Sequence, residues 1–142
     1  MKKNVIIFAI SILVHIALFI FFMMIKSQLD VFTLIIFMVS PIFINVLLSF
    51  IGSKLQVKKE NNKVVPIIIT YVGVNLIYWI LLNIQLNMGK TLDIIYETSR
   101  QYNSDMIEIS ANNSPIGALI MLLLVSFVLY YFSIRVASRS RE

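Results

Sequence analysis

The sequence predicts an all-α integral membrane protein, a four-transmembrane-helix bundle with a short amphipathic helical segment on its outer face. Three observations predict this class. Hydrophobic residues make up 59% of the 142 residues and charged residues only 13%, whereas about 25% of an ordinary soluble domain is charged. The charges are clustered, and the clusters separate four long uncharged runs. Each run is long enough to cross, as a helix, a hydrocarbon core about 30 Å thick.

The four uncharged runs define four predicted spans within a single membrane domain, residues 1–142. The runs contain 22, 23, 26 and 20 residues. Helices are the expected form, because the backbone polar groups of a span in lipid must be satisfied within the segment itself. The predicted spans are about 4–25, 31–53, 64–86 and 115–134, with an inner loop 54–63, an outer loop 87–114 and a cytoplasmic tail 135–142.

The first span begins after Lys2 and Lys3, a pattern that also opens secretory signal peptides. The apolar run that follows is longer than the signal-peptide core of about 7–15 residues, and signal peptides end in a small-residue cleavage site. No such site follows this run. We therefore expect an uncleaved membrane span.

The ends of the later spans carry recognisable signals. Asp30 is the predicted N-cap of the second helix, and the short turn before it predicts that the first two helices form an antiparallel hairpin. Pro41 removes a backbone hydrogen bond inside the second span and is expected to kink it. A neighbouring helix is expected to satisfy the carbonyl that is freed near Phe37. Ser114 as N-cap, with Pro115 at the first helical position, marks the start of the fourth helix.

The distribution of Lys and Arg predicts the orientation. Three basic residues lie on one side of the predicted membrane: Lys26, Lys90 and Arg100. Nine lie on the other: Lys2, Lys3, Lys54, Lys58, Lys59, Lys63, Arg135, Arg139 and Arg141. Five acidic residues share the first side and two the second, so the net charges are −2 and +7, which together give the +5 of the chain. Because basic residues are retained in the cytoplasm, we predict a multi-pass cell (inner) membrane protein with both termini cytoplasmic.

The positive charge is explained by the membrane itself. The basic inner loop and tail face anionic lipid headgroups, which attract each Lys or Arg near the surface by about 1 kcal/mol. We expect no nucleic-acid partner, because the sequence has no cytoplasmic domain that could form a groove for one.

Composition and motifs exclude several classes of site. The chain has no cysteine and one histidine, which excludes disulfides, thiolate ligands and a metal site built on paired histidines. No P-loop, metalloprotease or nucleophile-elbow motif occurs. We therefore expect no enzymatic activity, no catalytic residues, no metal and no cofactor.

One polar residue lies near the middle of each predicted span, and buried polar groups in membranes are often functional. These residues, the midplane polar layer, are His15, Asn45, Asn75 and Ser126. At helical spacing they continue into polar stripes that we expect to face one another: Ser11 with His15, Asn45 with Ser49, Tyr71 with Asn75 and Tyr78, and Ser126 with Tyr130 and Ser133. Either these groups fix the helix packing by hydrogen bonds, or His15 is the titratable centre of a polar pocket or proton path.

The outer loop contains an amphipathic pattern that predicts one or two short helices, the second beginning at a capping box from Asp105. Its apolar stripe comprises Leu92, Ile95, Tyr96, Tyr102, Met106 and Ile109. The stripe either packs on the helix ends and lipid headgroups, or forms a surface for a partner. Trp79, Tyr130 and Tyr131 are expected to lie in the interfacial aromatic bands of the membrane.

The chain resembles the small four-span staphylococcal Msa membrane proteins, modulators of SarA expression. The resemblance covers most of the chain. It rests on the four spans, the acidic outer loop and the basic tail, and locally on residues 41–44, 71–79 and 129–131. It implies a regulatory membrane protein and carries over no site residues. Frequent Ile, Lys and Asn are consistent with a bacterial source.

Two functional hypotheses follow. The first is a non-enzymatic accessory or regulatory protein (a sensor, modulator or immunity type) that acts through a membrane or extracellular protein partner bound at Leu92, Ile95, Tyr96, Tyr102 and Met106. The second is a small homo-oligomeric transporter or channel whose pathway is lined by the midplane polar layer.

Overall fold

The computed structural model describes residues 2–55, 64–102 and 115–139, and 96% of them are helical. The five α-helices of this described part are α1 (Lys2–Ile25), α2 (Val31–Leu55), α3 (Val64–Asn87), α4 (Thr91–Ser99) and α5 (Pro115–Arg139). Short 3₁₀ turns follow α1 at Lys26–Gln28 and α4 at Arg100–Tyr102.

Four of these helices are long and apolar enough to cross a membrane, which confirms the predicted all-α, four-helix architecture of a multi-pass membrane protein. Apolar side chains cover the outside of the bundle, and Leu13, Phe43 and Leu124 each expose more than 60% of their surface. Such exposure suits contact with lipid, where apolar side chains meet no water.

The bundle is built around α2 and α3. α1 packs against both of these helices on one side and α5 packs against both on the other, and the backbones of α1 and α5 do not approach each other closely in the described part of the chain. We call the end where α1 begins and α5 finishes the terminal end. The opposite end, where α4 lies, is the cap end.

Local chemistry sets the helix boundaries at the cap end. The Thr33 backbone N–H donates to Asp30 Oδ1 at 2.7 Å, which is the predicted N-cap of α2. α3 ends at Asn87, and Gly89 then adopts a φ of 68°, a left-handed conformation that glycine takes at no steric cost. The chain thereby reverses into α4.

α4 is the predicted amphipathic helix. Its buried residues are Thr91, Ile95 and Ser99, which recur every four positions and therefore lie on one face. This face packs on α2, α3 and the 3₁₀ turn after α1. The second predicted helix of this segment, from Asp105, lies outside the described residues.

Pro41 is buried within α2. The Trp79 indole N–H of α3 donates to the carbonyl of Met38, at 2.9 Å, one residue beyond the carbonyl that Pro41 frees. The neighbouring helix therefore donates to the carbonyl of Met38, and no described hydrogen bond reaches the carbonyl of Phe37 that Pro41 frees.

Candidate functional site

Five side chains from the four long helices meet at the middle of the bundle and form what we call the polar core. All of them are buried, with exposed fractions of 4% for His15 and 0% for the others. They are Ser11 and His15 of α1, Asn45 of α2, Asn75 of α3 and Tyr130 of α5.

Three residues of the midplane polar layer are in direct contact here. Asn45 Nδ2 donates to Asn75 Oδ1 at 2.7 Å, and His15 Nε2 lies 3.0 Å from the same oxygen. The Ser11 hydroxyl donates to Asn45 Oδ1 at 2.6 Å. These bonds join α1, α2 and α3 pairwise at one level.

The fourth helix enters the network through Tyr130 instead of Ser126. Asn75 Nδ2 donates to Tyr130 Oη, so Asn75 contacts polar groups on all three other helices. Ser126 is buried, but its hydroxyl donates to the carbonyl of Leu123 on its own helix, at 2.8 Å. One turn separates Ser126 from Tyr130, and the longer phenol reaches the network.

The His15 ring lies within hydrogen-bonding distance of groups on α1, α2 and α3. His15 Nδ1 lies 2.7 Å from the carbonyl oxygen of Ser11, which only accepts hydrogen bonds, so Nδ1 carries a hydrogen. A neutral imidazole has one N–H. In a neutral ring His15 Nε2 is then an acceptor, and the Asn45 Nδ2 donor lies 3.5 Å from it.

A second polar layer lies one turn nearer the terminal end. Ser49 Oγ donates to Ser133 Oγ at 3.1 Å, and Ser133 Oγ donates to the carbonyl of Val46 at 2.9 Å. This layer ties α2 to α5. All residues of the predicted polar stripes are buried in the bundle.

Towards the cap end, the polar core is closed by apolar side chains. Phe22, Phe37 and Leu82 are buried there, and the rings of Phe22 and Phe37 meet edge to face with centroids 5.6 Å apart. Tyr78 lies beside His15, with ring centroids 5.7 Å apart. Its hydroxyl is buried and, among the described residues, has no hydrogen-bond partner.

The chemistry open to the polar core is hydrogen bonding and the binding of a proton. The spans contain no Asp, Glu, Lys or Arg, so an imidazolium at His15 would have no charged neighbour within them. Within the described residues, no three His, Cys, Asp or Glu side chains lie together as a metal site requires.

We define the cap as α4 with the turn Arg100–Tyr102. The predicted partner residues on the cap differ in how far their side chains are exposed. Leu92 and Tyr102 are exposed by 38% and 37%, and Tyr96 is half-buried under the Arg100 guanidinium, 5.5 Å from the ring centroid. Ile95 is only 5% exposed and belongs to the hydrophobic core. It therefore does not lie on an accessible surface. Met106 lies outside the described residues.

Hydrogen bonds fix the cap to the start of α2. Ser99 Oγ accepts from the Val31 backbone N–H at 2.8 Å, and the Tyr102 hydroxyl donates to Asp30 Oδ2 at 3.0 Å. The Thr33 backbone N–H and the Tyr102 hydroxyl lower the pKa of Asp30, because they stabilise its carboxylate. The same carboxylate raises the pKa of Tyr102.

Two aromatic expectations are wrong. Trp79 and Tyr130 are 2% and 0% exposed and lie inside the bundle, where each makes a hydrogen bond to another helix. Tyr131 is exposed, with the Arg135 guanidinium 5.3 Å from its ring centroid near the end of α5.

Comparisons with known proteins give no match: no family model, no curated protein and no solved structure is similar to this chain.

Proposed function

We propose that this chain is a non-enzymatic accessory or regulatory membrane protein, of a sensor, modulator or immunity type, that acts through a protein partner. The observation that carries this proposal is the cap. It is held on the bundle by hydrogen bonds from Val31 and Tyr102, yet it keeps Leu92 and Tyr102 exposed. A surface that is both fixed and partly apolar suits recognition, because little conformational entropy is lost when a partner binds.

The polar core supports the same proposal. Its groups bond one another across the helices, and buried phenylalanines close it towards the cap end. A transport pathway would instead expose polar groups to a lumen. The core thus favours a structural role in a single chain over the alternative of a homo-oligomeric transporter or channel.

The proposed setting is a bacterial cell membrane, with both termini cytoplasmic and the cap outside. The nine-to-three division of basic residues supports this orientation. In this orientation, the terminal end faces anionic headgroups and the cap faces an extracellular or membrane partner. The resemblance to the Msa proteins supports a regulatory role.

Site-specific photo-crosslinking tests the proposal. A photoreactive residue at Leu92 should crosslink in native membranes to one defined protein. The same residue at Met24 is the matched control, because Met24 is 74% exposed near the same end of the bundle but belongs to α1. Identical crosslinks from both positions, or lipid adducts alone from Leu92, would contradict a partner surface on the cap.

A further inference from the structure

A cleft opens at the terminal end of the bundle between α1, α2 and α3. It encloses about 220 Å³. Val5 and Phe8 of α1 and Ile67 of α3 form its apolar walls, and Gly52 of α2 lies between them. This cleft lies at the opposite end of the molecule from the cap.

Two hydroxyl groups in the cleft have no hydrogen-bond partner among the described residues. Ser53 and Tyr71 line the cleft and are 9% and 5% exposed. Neither Ser53 Oγ nor Tyr71 Oη makes a hydrogen bond within the part of the chain that the structure describes. Tyr71 Oη lies 3.8 Å from the point where a Cβ on Gly52 would stand. Among the described residues, the buried side-chain oxygen without a partner is Tyr78 Oη. Ser53 Oγ and Tyr71 Oη are therefore open to the cleft, where they can donate to a ligand that supplies acceptor oxygens.

The depth of the hydroxyls indicates which acceptors are available. Ser53 lies two residues before the end of α2, and Tyr71 lies seven residues after the start of α3. With a rise of about 1.5 Å per residue, Ser53 lies about 3 Å inside the end of α2. The Tyr71 hydroxyl reaches the same level, since it lies 3.8 Å from the Cβ position of the adjacent Gly52. The ester carbonyls of phospholipids occupy this level, between the headgroups and the hydrocarbon core.

Charge at the same end favours an anionic headgroup. Lys2 and Lys3 form the first turn of α1, and Lys54 is exposed in the last turn of α2. The segment that connects α2 to α3 contains Lys58, Lys59 and Lys63 in its sequence. Basic residues close to a bilayer surface attract anionic lipids.

We propose that the cleft is a specific binding site for one anionic phospholipid. The Ser53 and Tyr71 hydroxyls donate to its ester carbonyls, and an acyl chain lies along Val5, Phe8 and Ile67. The site depends on the proposed orientation only in the choice of an anionic headgroup, and it is independent of any protein partner.

The cleft also borders the polar side chains at the centre of the bundle. Ser49 lines the cleft and donates to Ser133, and the Tyr71 carbonyl accepts from Asn45 Nδ2 at 3.4 Å. A bound lipid therefore contacts residues that join α2 to α3 and α5, and it stabilises their arrangement.

Native mass spectrometry of the full chain in mild detergent tests the site, with phosphatidylglycerol and phosphatidylcholine added in turn. The wild-type protein should retain one phosphatidylglycerol, about fivefold or more tightly than phosphatidylcholine. The double variant Ser53→Ala, Tyr71→Phe keeps the packing but removes both donors. It should bind about tenfold more weakly, as expected for two hydrogen bonds of the strength usual within membranes.

A matched pair of glycine variants tests the location. A Cβ on Gly52 fits, 3.4 Å from Ile7 Cδ1, so the rest of a leucine side chain in Gly52→Leu would fill the cleft. Gly73→Leu is the control, because nothing lies within 4 Å of a Cβ there. Loss of the lipid in Gly52→Leu alone supports the site. Equal retention in both variants, equal binding of the two lipids, or unchanged affinity without the hydroxyls would overturn it.

Discussion

At the scale of single residues, Asn75 is the centre of the hydrogen-bond network that joins the four long helices. Its side chain contacts His15, Asn45 and Tyr130, one residue from each of the other long helices. An amide can do this because it offers two donors and an acceptor with two lone pairs.

Replacing Asn75 by leucine should destabilise the bundle. Three hydrogen bonds would be lost, each contributing about 0.6 kcal/mol on average between membrane helices, so we expect a loss of about 2 kcal/mol. The free energy of unfolding in detergent, followed by the fluorescence of Trp79, measures this loss. Asn83→Leu is the control on the same helix, because among the described residues Asn83 bonds only Asn87, one turn away. Similar losses in the two variants would show that the network does not hold the helices together.

The sequence identified the residues of the polar core on α1, α2 and α3. On α5 it placed Tyr130 on the inner stripe but chose Ser126 for the midplane polar layer. Depth alone selected Ser126, which lies nearest the middle of its span. A serine hydroxyl is short and can bond a carbonyl of its own helix, as Ser126 does with Leu123. Tyr130 begins one turn away and spans the gap to Asn75. Whether a side chain contacts the network depends on its length and direction, and the position of a residue along its span gives neither.

At the scale of elements, uncharged runs predicted the four long helices well, because lipid leaves the backbone no alternative. The helices extend beyond the predicted spans, α2 to Leu55 and α5 to Arg139, since a helix continues into the headgroup region. The rotation of each helix about its axis was harder to predict. Apolar residues surround each helix, so only the few polar residues mark the inner face. The same difficulty applies to α4, where the apolar stripe includes both the buried Ile95 and the exposed Leu92.

The attachment of the cap should depend on pH through Asp30. The folded protein lowers the pKa of this carboxyl group. The stabilisation is therefore fully present above the ordinary pKa of an aspartate and is lost as the pH falls through the lowered value. Hydrogen exchange of residues 91–102, measured between neutral and acidic pH, should increase as the carboxylate is protonated.

The variant Asp30→Asn isolates this contribution. It should raise exchange in the cap at neutral pH and abolish the acid-dependent part that arises from Asp30. Asp93→Asn serves as the control, since Asp93 is exposed on α4 and makes no hydrogen bond to α2 in the described structure. An unchanged pH profile in Asp30→Asn would show that the bond from Tyr102 does not hold the cap.

At the scale of the whole molecule, the two ends of the bundle differ. The terminal end has the cleft and most of the basic residues, whereas the cap end has an ordered amphipathic helix and a buried cluster of phenylalanines. The polar core between them bonds the four helices together. This asymmetry is consistent with a protein that rests on lipid at one end and is recognised at the other.

The most direct test of the partner hypothesis is purification from native membranes in mild detergent, with intact-complex mass measurement and identification of every component. We predict one copy of this chain with a distinct protein in fixed stoichiometry. Leu92→Glu, which alters the exposed cap and leaves the polar core intact, should reduce the amount of that protein. A discrete homo-oligomer without any second protein would rule out the partner hypothesis and favour the transporter or channel alternative.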